Sequence, residues 1–212
     1  RVIIVRLTES VQEAEDFGLA QETANVELKK LQGELEQRVV QRTAELERRA
    51  GQLQAISNVA HSIASVQNMD ELLPAITQLV SEKFGYYHAG IFLLDENQQY
   101  VHLRASNSEG GKRMLERQHK LKLDTNSIVG YTALRGESRI ALDVGADAVF
   151  FNNPDLPDTR SEMALPLRIG GNVMGALDVQ STESNAFTQE DINVASILAD
   201  QIAIAIENAR LF

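Results

Sequence analysis

Cysteine is absent from the 212 residues. That excludes disulfides, thiolate zinc sites, cysteine nucleophiles and thioether-linked cofactors together, and it fits a cytoplasmic location. Tryptophan is also absent and aromatics make up 5%, so no surface for stacking bases or sugars is expected. Positive charge is scarce: 20 Lys and Arg stand against 30 Asp and Glu, a net charge of −10. No nucleic-acid partner is expected, because phosphate binding needs a basic patch. Long apolar runs are missing too. Arg1–Leu7, R-V-I-I-V-R-L, is apolar but too short to span a bilayer, and it lacks a signal-peptide pattern. It reads equally as the tail of a helix entering from a membrane segment or as the buried end of a cytosolic helix. A membrane is therefore expected only through segments outside this chain. The first residue is Arg1 rather than Met, so the chain is expected to be a fragment, with any output module following Phe212.

What is present is enough apolar residue, 43%, for a sizeable core. From Thr8 to about Val66 there is no proline, and Glu, Gln, Ala, Leu and Arg dominate, all good helix formers. Leu28, Leu31 and Leu35 start an apolar seam at spacings of three and four. Val39, Leu46, Leu53 and Ala60 continue it at seven, with Ile56 and Ile63 between. The step from Leu35 to Val39 shifts the seam by four residues, a stutter. Charged and polar residues fill the other positions, as in a coiled coil. A helix on the order of 85 Å long has no domain of its own to pack on. The simplest partner is a second copy in parallel; a folded-back hairpin is the alternative.

The rest of the chain alternates shorter signals. Asn68 and Glu71 are spaced as a capping box, and Gly85 closes the helix Asp70–Lys83. Ala89–Asp95 and Tyr100–Ala105 read as a hairpin, Lys120–Leu123 as an edge strand. Asn126 or Ser127 caps a short helix, Ile128–Arg135, ended by Gly136. Arg139–Leu142 is a further strand. Asp143–Thr159 is the longest irregular segment, and its apolar Val149-Phe150-Phe151 needs something to pack over. Thr188 and Asp191 form a second capping box, opening the last helix, Gln189–Phe212. That helix is apolar around nearly its whole circumference, so two surfaces must bury it.

Between them lies Arg160–Ser181, R-S-E-M-A-L-P-L-R-I-G-G-N-V-M-G-A-L-D-V-Q-S. It reads as two strands joined at Gly170-Gly171, where a two-residue hairpin needs positive φ. Met163, Leu165, Leu167 and Ile169 share one face, as do Val173, Gly175, Leu177 and Val179. The opposite face carries Ala164, Pro166, Met174 and Ala176 before Asp178 and Gln180. A hairpin apolar on both faces belongs in the middle of a covered sheet.

From about Asp70 onward the chain resembles a GAF domain. The resemblance rests on the entry helix, the Ile91–Leu94 strand, S-I-V-G-Y-T-A-L-R-G-E-S (Ser127–Ser138), the Arg160–Ser181 hairpin, A-F-T-Q-E-D, and L-A-D-Q-I-A-I-A-I-E-N-A-R-L-F. L-E-Q-R-V-V-Q-R-T-A-E-L-E (Leu35–Glu47) resembles the signalling helix that precedes sensor domains in bacterial histidine kinases. The expected division is a coiled coil over residues 1–67 and a GAF-like domain over 68–212. The resemblance implies an α+β fold: a six-stranded antiparallel sheet with helices on both faces, preceded by the long coiled-coil helix. It implies a homodimer through the first and last helices on one face and a small-molecule pocket under loops on the other.

The cofactors of relatives fit unevenly. Phe187 and Asp191 match part of the F-x-x-x-D-E signature of cyclic-nucleotide-binding GAF domains, but Ile192 replaces the Glu and no Asn-Lys pair occurs. Covalent bilin attachment, as in phytochromes, needs the missing Cys, as does the chemistry of free-methionine sulfoxide reductases. Haem is disfavoured: His88, His102 and His119 lie in or beside strands without metal spacing. His61, followed by S-I-A-S-V, lacks the kinase phosphoacceptor pattern. Asp143 and Asp147 offer too few ligands for a cation. No nucleophile–base pair or phosphate loop appears, so the segment is expected to be non-catalytic.

If a ligand binds, the expected apolar wall is Ile91, Leu93, Val129, Phe150, Phe151, Met163, Leu165, Leu177 and Val179. Tyr131, Arg160, Ser161 and Glu162 are the expected polar rim. Ala164 and Ala176 are expected to let the terminal helices approach, with Met163, Leu165, Leu177 and Val179 facing the ligand. The expected function is a sensor and relay segment of a dimeric bacterial signalling protein, with a ligand-free dimerisation spacer as the alternative.

Overall fold

The computed structural model describes residues 2–64, 66, 68–144 and 153–210. The chain divides into two compact units, Arg1–Gly51 and Gln52–Phe212.

The first unit is helical throughout its described length, within α1 (Val2–Ala64). Its surface carries pairs at i,i+3 and i,i+4: Arg49 donates to Glu45 at 2.7 Å, Arg42 to Glu45 at 2.8 Å, and Gln32 to Glu36 at 3.0 Å. Such exposed pairs contribute only about 0.3–0.5 kcal/mol each. The seam residues Leu28, Leu31, Leu35, Val39 and Leu46 are all exposed in the single chain. Among the described residues no helix is long and apolar enough to cross a membrane.

The second unit is built on one six-stranded sheet. Its strands are β1 (His88–Leu94), β2 (Tyr100–Ser106), β3 (Lys120–Lys122), β4 (Arg139–Ala141), β5 (Ser161–Ile169) and β6 (Asn172–Ser181). The order is β3-β2-β1-β6-β5-β4, and every pairing is antiparallel. The β5–β6 hairpin occupies the interior, as its two apolar faces require. Gly170 and Gly171 turn it with φ of 57° and 88°, values that a residue with a Cβ adopts only under strain.

Besides the end of α1, the described residues of the unit form four helices: α2 (Met69–Phe84), α3 (Glu109–Glu116), α4 (Ile128–Arg135) and α5 (Gln189–Arg210). Their ends follow the cap residues. The Asn68 side chain accepts from the Asp70 N–H, one residue short of the Glu71 that the box spacing suggests. Ser127 caps α4 by accepting from the Gly130 N–H, and Gly136 ends it in the left-handed region. At α5 the box is reciprocal: the Thr188 N–H donates to Asp191 at 2.8 Å and the Asp191 N–H to Thr188 Oγ1 at 3.2 Å. α3 starts at Glu109 because Ser108 caps it, its side chain accepting from the Gly111 N–H.

The sheet separates two apolar layers. On one face α2 and α5 bring Leu72, Ile76, Val80, Leu198, Ile202 and Ile206 against Ile91, Leu93, Met163, Leu165, Leu167, Leu177 and Val179. On the other, Phe92, Val101, Leu103, Ala164 and Ala176 meet Met114, Ile128, Val129 and Leu156. This reverses the expected assignment of the hairpin's faces. Both helices lie on the Met163 side. The layer between a helix and a sheet must be filled at crystal-like density, and the large side chains of β5 and β6 fill it. The small residues that permit close approach stand on the helix instead, at Ala195, Ala199 and Ala203.

Candidate functional site

β5 and β6 are covered on both sides, so a polar side chain on them is buried and must find partners. Three such residues share the face opposite α2 and α5. The register pairs Glu162 with Gln180 and Ala164 with Asp178. On the neighbouring strand His88 stands beside Gln180 and Gly90 beside Asp178. Glu162 is 6% exposed, Asp178 2%, Gln180 6% and His88 0%.

A chain of hydrogen bonds orients them. Thr159 Oγ1 donates to Gln180 Oε1 at 2.6 Å, which leaves the amide nitrogen to donate to Asp178 Oδ2 at 2.8 Å. Asp178 Oδ1 is buried and accepts from no N–H or hydroxyl group; the carboxyl's other side-chain partner is the Glu162 carboxyl. His88 Nδ1 lies 2.7 Å from Ser108 Oγ and 3.3 Å from Ser106 Oγ. His88 Nε2 lies 3.7 Å from Asp178 Oδ2, beyond hydrogen-bond reach, and makes no hydrogen bond. Burial pushes the Asp178 carboxyl up to about 7, against hydrogen bonds from Gln180 and Glu162 that hold it down. Burial brings His88 down to about 4. Both groups are thus driven toward their neutral forms.

These acids open on a small cavity of about 30 Å³, room for a water or two. Glu162, Asp178 and Gln180 form its floor. Phe92, Met114, Leu121, Ile128 and Val129 are its apolar wall, with Ser127, Asn153 and His119 completing the lining. Burial, and then the nearby Arg117, hold the His119 imidazole below its usual range. Among the described residues no Lys or Arg lines the cavity. The described part of the long irregular segment, residues 153–159, straps across one side. Leu156 packs into the same apolar layer, and the Asn153 amide donates to Met114 Sδ at 3.1 Å. Asp155 is held by Arg113 at 3.1 Å and by Arg117, which also keep its carboxyl below the usual range. A Cβ on Gly110 would overlap the Asp155 carbonyl, so glycine lets α3 approach the strap.

Of the described residues expected to bind a ligand, the structure brings Val129 and Glu162 alone to this cavity. Ile91, Leu93, Met163, Leu165, Leu177 and Val179 are corrected to the opposite face, in the core under α2 and α5. Ser161 is fully buried, its hydroxyl donating to the Glu183 carbonyl at 2.7 Å. Arg160 is exposed and contributes backbone bonds to Val144 and Ser181. Tyr131 lies under the Arg139 guanidinium, 5.0 Å from it, outside the cavity lining. Phe150 and Phe151 lie outside the described residues. Asp178, Gln180 and Phe92 were missed. The first two had a signal: polar residues two apart, interrupting a strand apolar on both faces.

The GAF domain family model matches residues 66–207. A curated relative, a probable 3′,5′-cyclic phosphodiesterase pde-5 of Caenorhabditis elegans, is 22% identical over 76% of this chain, which spans 23% of that protein. Among solved structures, the GAF domain of a phosphoenolpyruvate-protein phosphotransferase from Coxiella burnetii is similar with a TM-score of 0.67 at 20% identity, covering 76% of this chain and 95% of that one. A free methionine-R-sulfoxide reductase of Neisseria meningitidis in complex with its substrate gives 0.65 at 19% identity, covering 76% and 90%. The fold is therefore shared by a GAF domain of a larger protein and by a reductase.

Proposed function

The chain belongs to the GAF domain family, and on that premise we propose that it is a non-catalytic sensing and relay segment of a dimeric signalling protein. The cavity on the Asp178 face takes a small molecule, and α2, α5 and α1 carry the response. The upstream helix resembles those of histidine kinases, which makes a cytoplasmic kinase the favoured host. One observation carries this reading: β5 and β6 alternate between the two layers. Glu162, Asp178 and Gln180 face the cavity, while Met163, Leu177 and Val179, interleaved with them, pack under α2 and α5. A ligand that shifts these strands shifts the helix packing by the same motion. The coupling needed is modest, about 1–3 kcal/mol, and the stutter at Leu35–Val39 gives α1 two ways to pack.

The tightness of the cavity, about 30 Å³, favours a second reading, a GAF domain that binds nothing and serves as a dimerisation spacer. A thermal-shift screen against a metabolite panel separates the two. Sensing predicts a saturable rise in melting temperature for one compound class, lost on Glu162→Gln. A flat response across the panel supports the spacer. Light scattering at micromolar concentration checks the shared element, and a monomer there removes the relay in either form.

A further inference from the structure

We propose that the cavity on the Asp178 face binds a small primary amine as its ammonium cation, with Asp178 and Glu162 as acceptors. The inference rests on the sensor reading and adds the chemistry of the occupant. Asp178 is 2% exposed. One of its oxygens is used by Gln180, whose amide Thr159 locks in orientation; the other, Oδ1, receives no N–H or hydroxyl donor, and the carboxyl's remaining side-chain partner is a second acid, Glu162. Two buried carboxyls in contact are costly unless a proton or another cation lies between them. What fits there must bring hydrogen-bond donors.

The charge around the site selects further. Among the described residues two carboxyls border the cavity and no Lys or Arg does, so an anion is repelled and a cation is held. A divalent metal is poorly served, since calcium takes six to eight oxygens and no cluster of three His, Cys, Asp or Glu occurs among the described residues. An ammonium needs only two or three acceptors and fits about 30 Å³. The pocket is open on one side, so a short alkyl body extends from the ammonium out along the apolar wall of Phe92, Met114, Ile128 and Val129. Without the cation the Asp178 carboxyl holds a proton; the ammonium takes that proton's place. Glu162 on β5, His88 on β1, His119 at the cavity wall, and Arg139 on β4, paired with Ala164, are the titratable and charged groups around Asp178.

The test uses the whole chain with its methionine methyls ¹³C-labelled, titrated with propylammonium chloride. At equal ionic strength, 1-propanol, propionate and propyltrimethylammonium serve as controls. Met114 lines the cavity and Met163 lies on the helix face. The expected result is a saturable shift of the Met114 methyl by propylammonium, at least about tenfold tighter than any control. Calorimetry in buffers of different ionisation enthalpy is expected to show release of about one proton per amine near pH 6. Asp178→Asn and Glu162→Gln are each expected to weaken the amine about tenfold. The comparison of probes on the unaltered chain stands even if a variant fails to fold. Equal or tighter binding of propanol or propionate at Met114 would overturn the cation while leaving a ligand site. No shift by any of the four would overturn both.

Discussion

Asp178 and His88 are the residues where burial works hardest against charge. Asp178 keeps its proton up to about 7 in the fold, whereas an unperturbed Asp loses it near 3.8. The folded state therefore binds more protons between these values, and this group's contribution to stability is lost as pH rises through the window. His88 does the opposite. It is neutral down to about 4 instead of 6.5, so the unfolded state binds the extra proton and stability is lost as pH falls. The two effects oppose each other where the windows overlap. Asp178→Asn removes the first and leaves the second. The predicted difference in melting temperature, variant minus unaltered chain, rises by several degrees from about pH 4 to about pH 7 and is flat beyond. Thermal unfolding followed by circular dichroism checks it, and a difference independent of pH would show that Asp178 is charged in the fold.

At the scale of elements, the sheet's two faces have separate jobs. Leu165→Ala empties a position under α5 and is expected to cost about 2–5 kcal/mol. It is expected to leave propylammonium affinity unchanged, because Leu165 is on the face away from the cavity. Urea denaturation paired with the methyl titration reads both quantities. The strap over residues 153–159 is fastened differently, by the exposed Arg113 and Arg117 on Asp155. Arg113→Ala together with Arg117→Ala is predicted to cost no more than about 1 kcal/mol per pair in global stability. Amide exchange at 155–159 is predicted to quicken all the same, since local opening is set by local fastening.

The elements themselves were legible in the sequence. The Thr188–Asp191 box, Gly85 and Gly136 at helix ends, and the Gly170-Gly171 turn each act on their immediate neighbours, and short-range chemistry can be read from neighbours. The facing of the hairpin was not legible. Period-two alternation sorts Met163, Leu165, Leu177 and Val179 onto one side, but both sides are apolar, and nothing local says which the helices cover. The site suffered for the same reason. Glu162 was found beside Arg160 and Ser161, which are adjacent in sequence but not on the cavity. Asp178, Gln180 and Phe92 meet Glu162 only through pairing across three strands.

For the whole molecule, the exposed seam of α1 is the feature most out of place in a single chain. Leu28, Leu31, Leu35, Val39 and Leu46 stand at coiled-coil spacings with their side chains in solvent. On the proposed reading, a second copy in parallel would bury them. Leu31→Lys with Leu35→Lys is predicted to turn the dimer into a monomer in analytical ultracentrifugation, with the GAF unit still folded. A dimer unaffected by both changes would assign its contacts elsewhere. The relay needs this dimer, and it also needs something to sense. Native mass spectrometry of protein purified without denaturation tests that most directly. The expected species is a dimer carrying one small amine-containing adduct per chain, released on denaturation and absent from Glu162→Gln. A dimer at its bare polypeptide mass, gaining nothing from added amines, would contradict it.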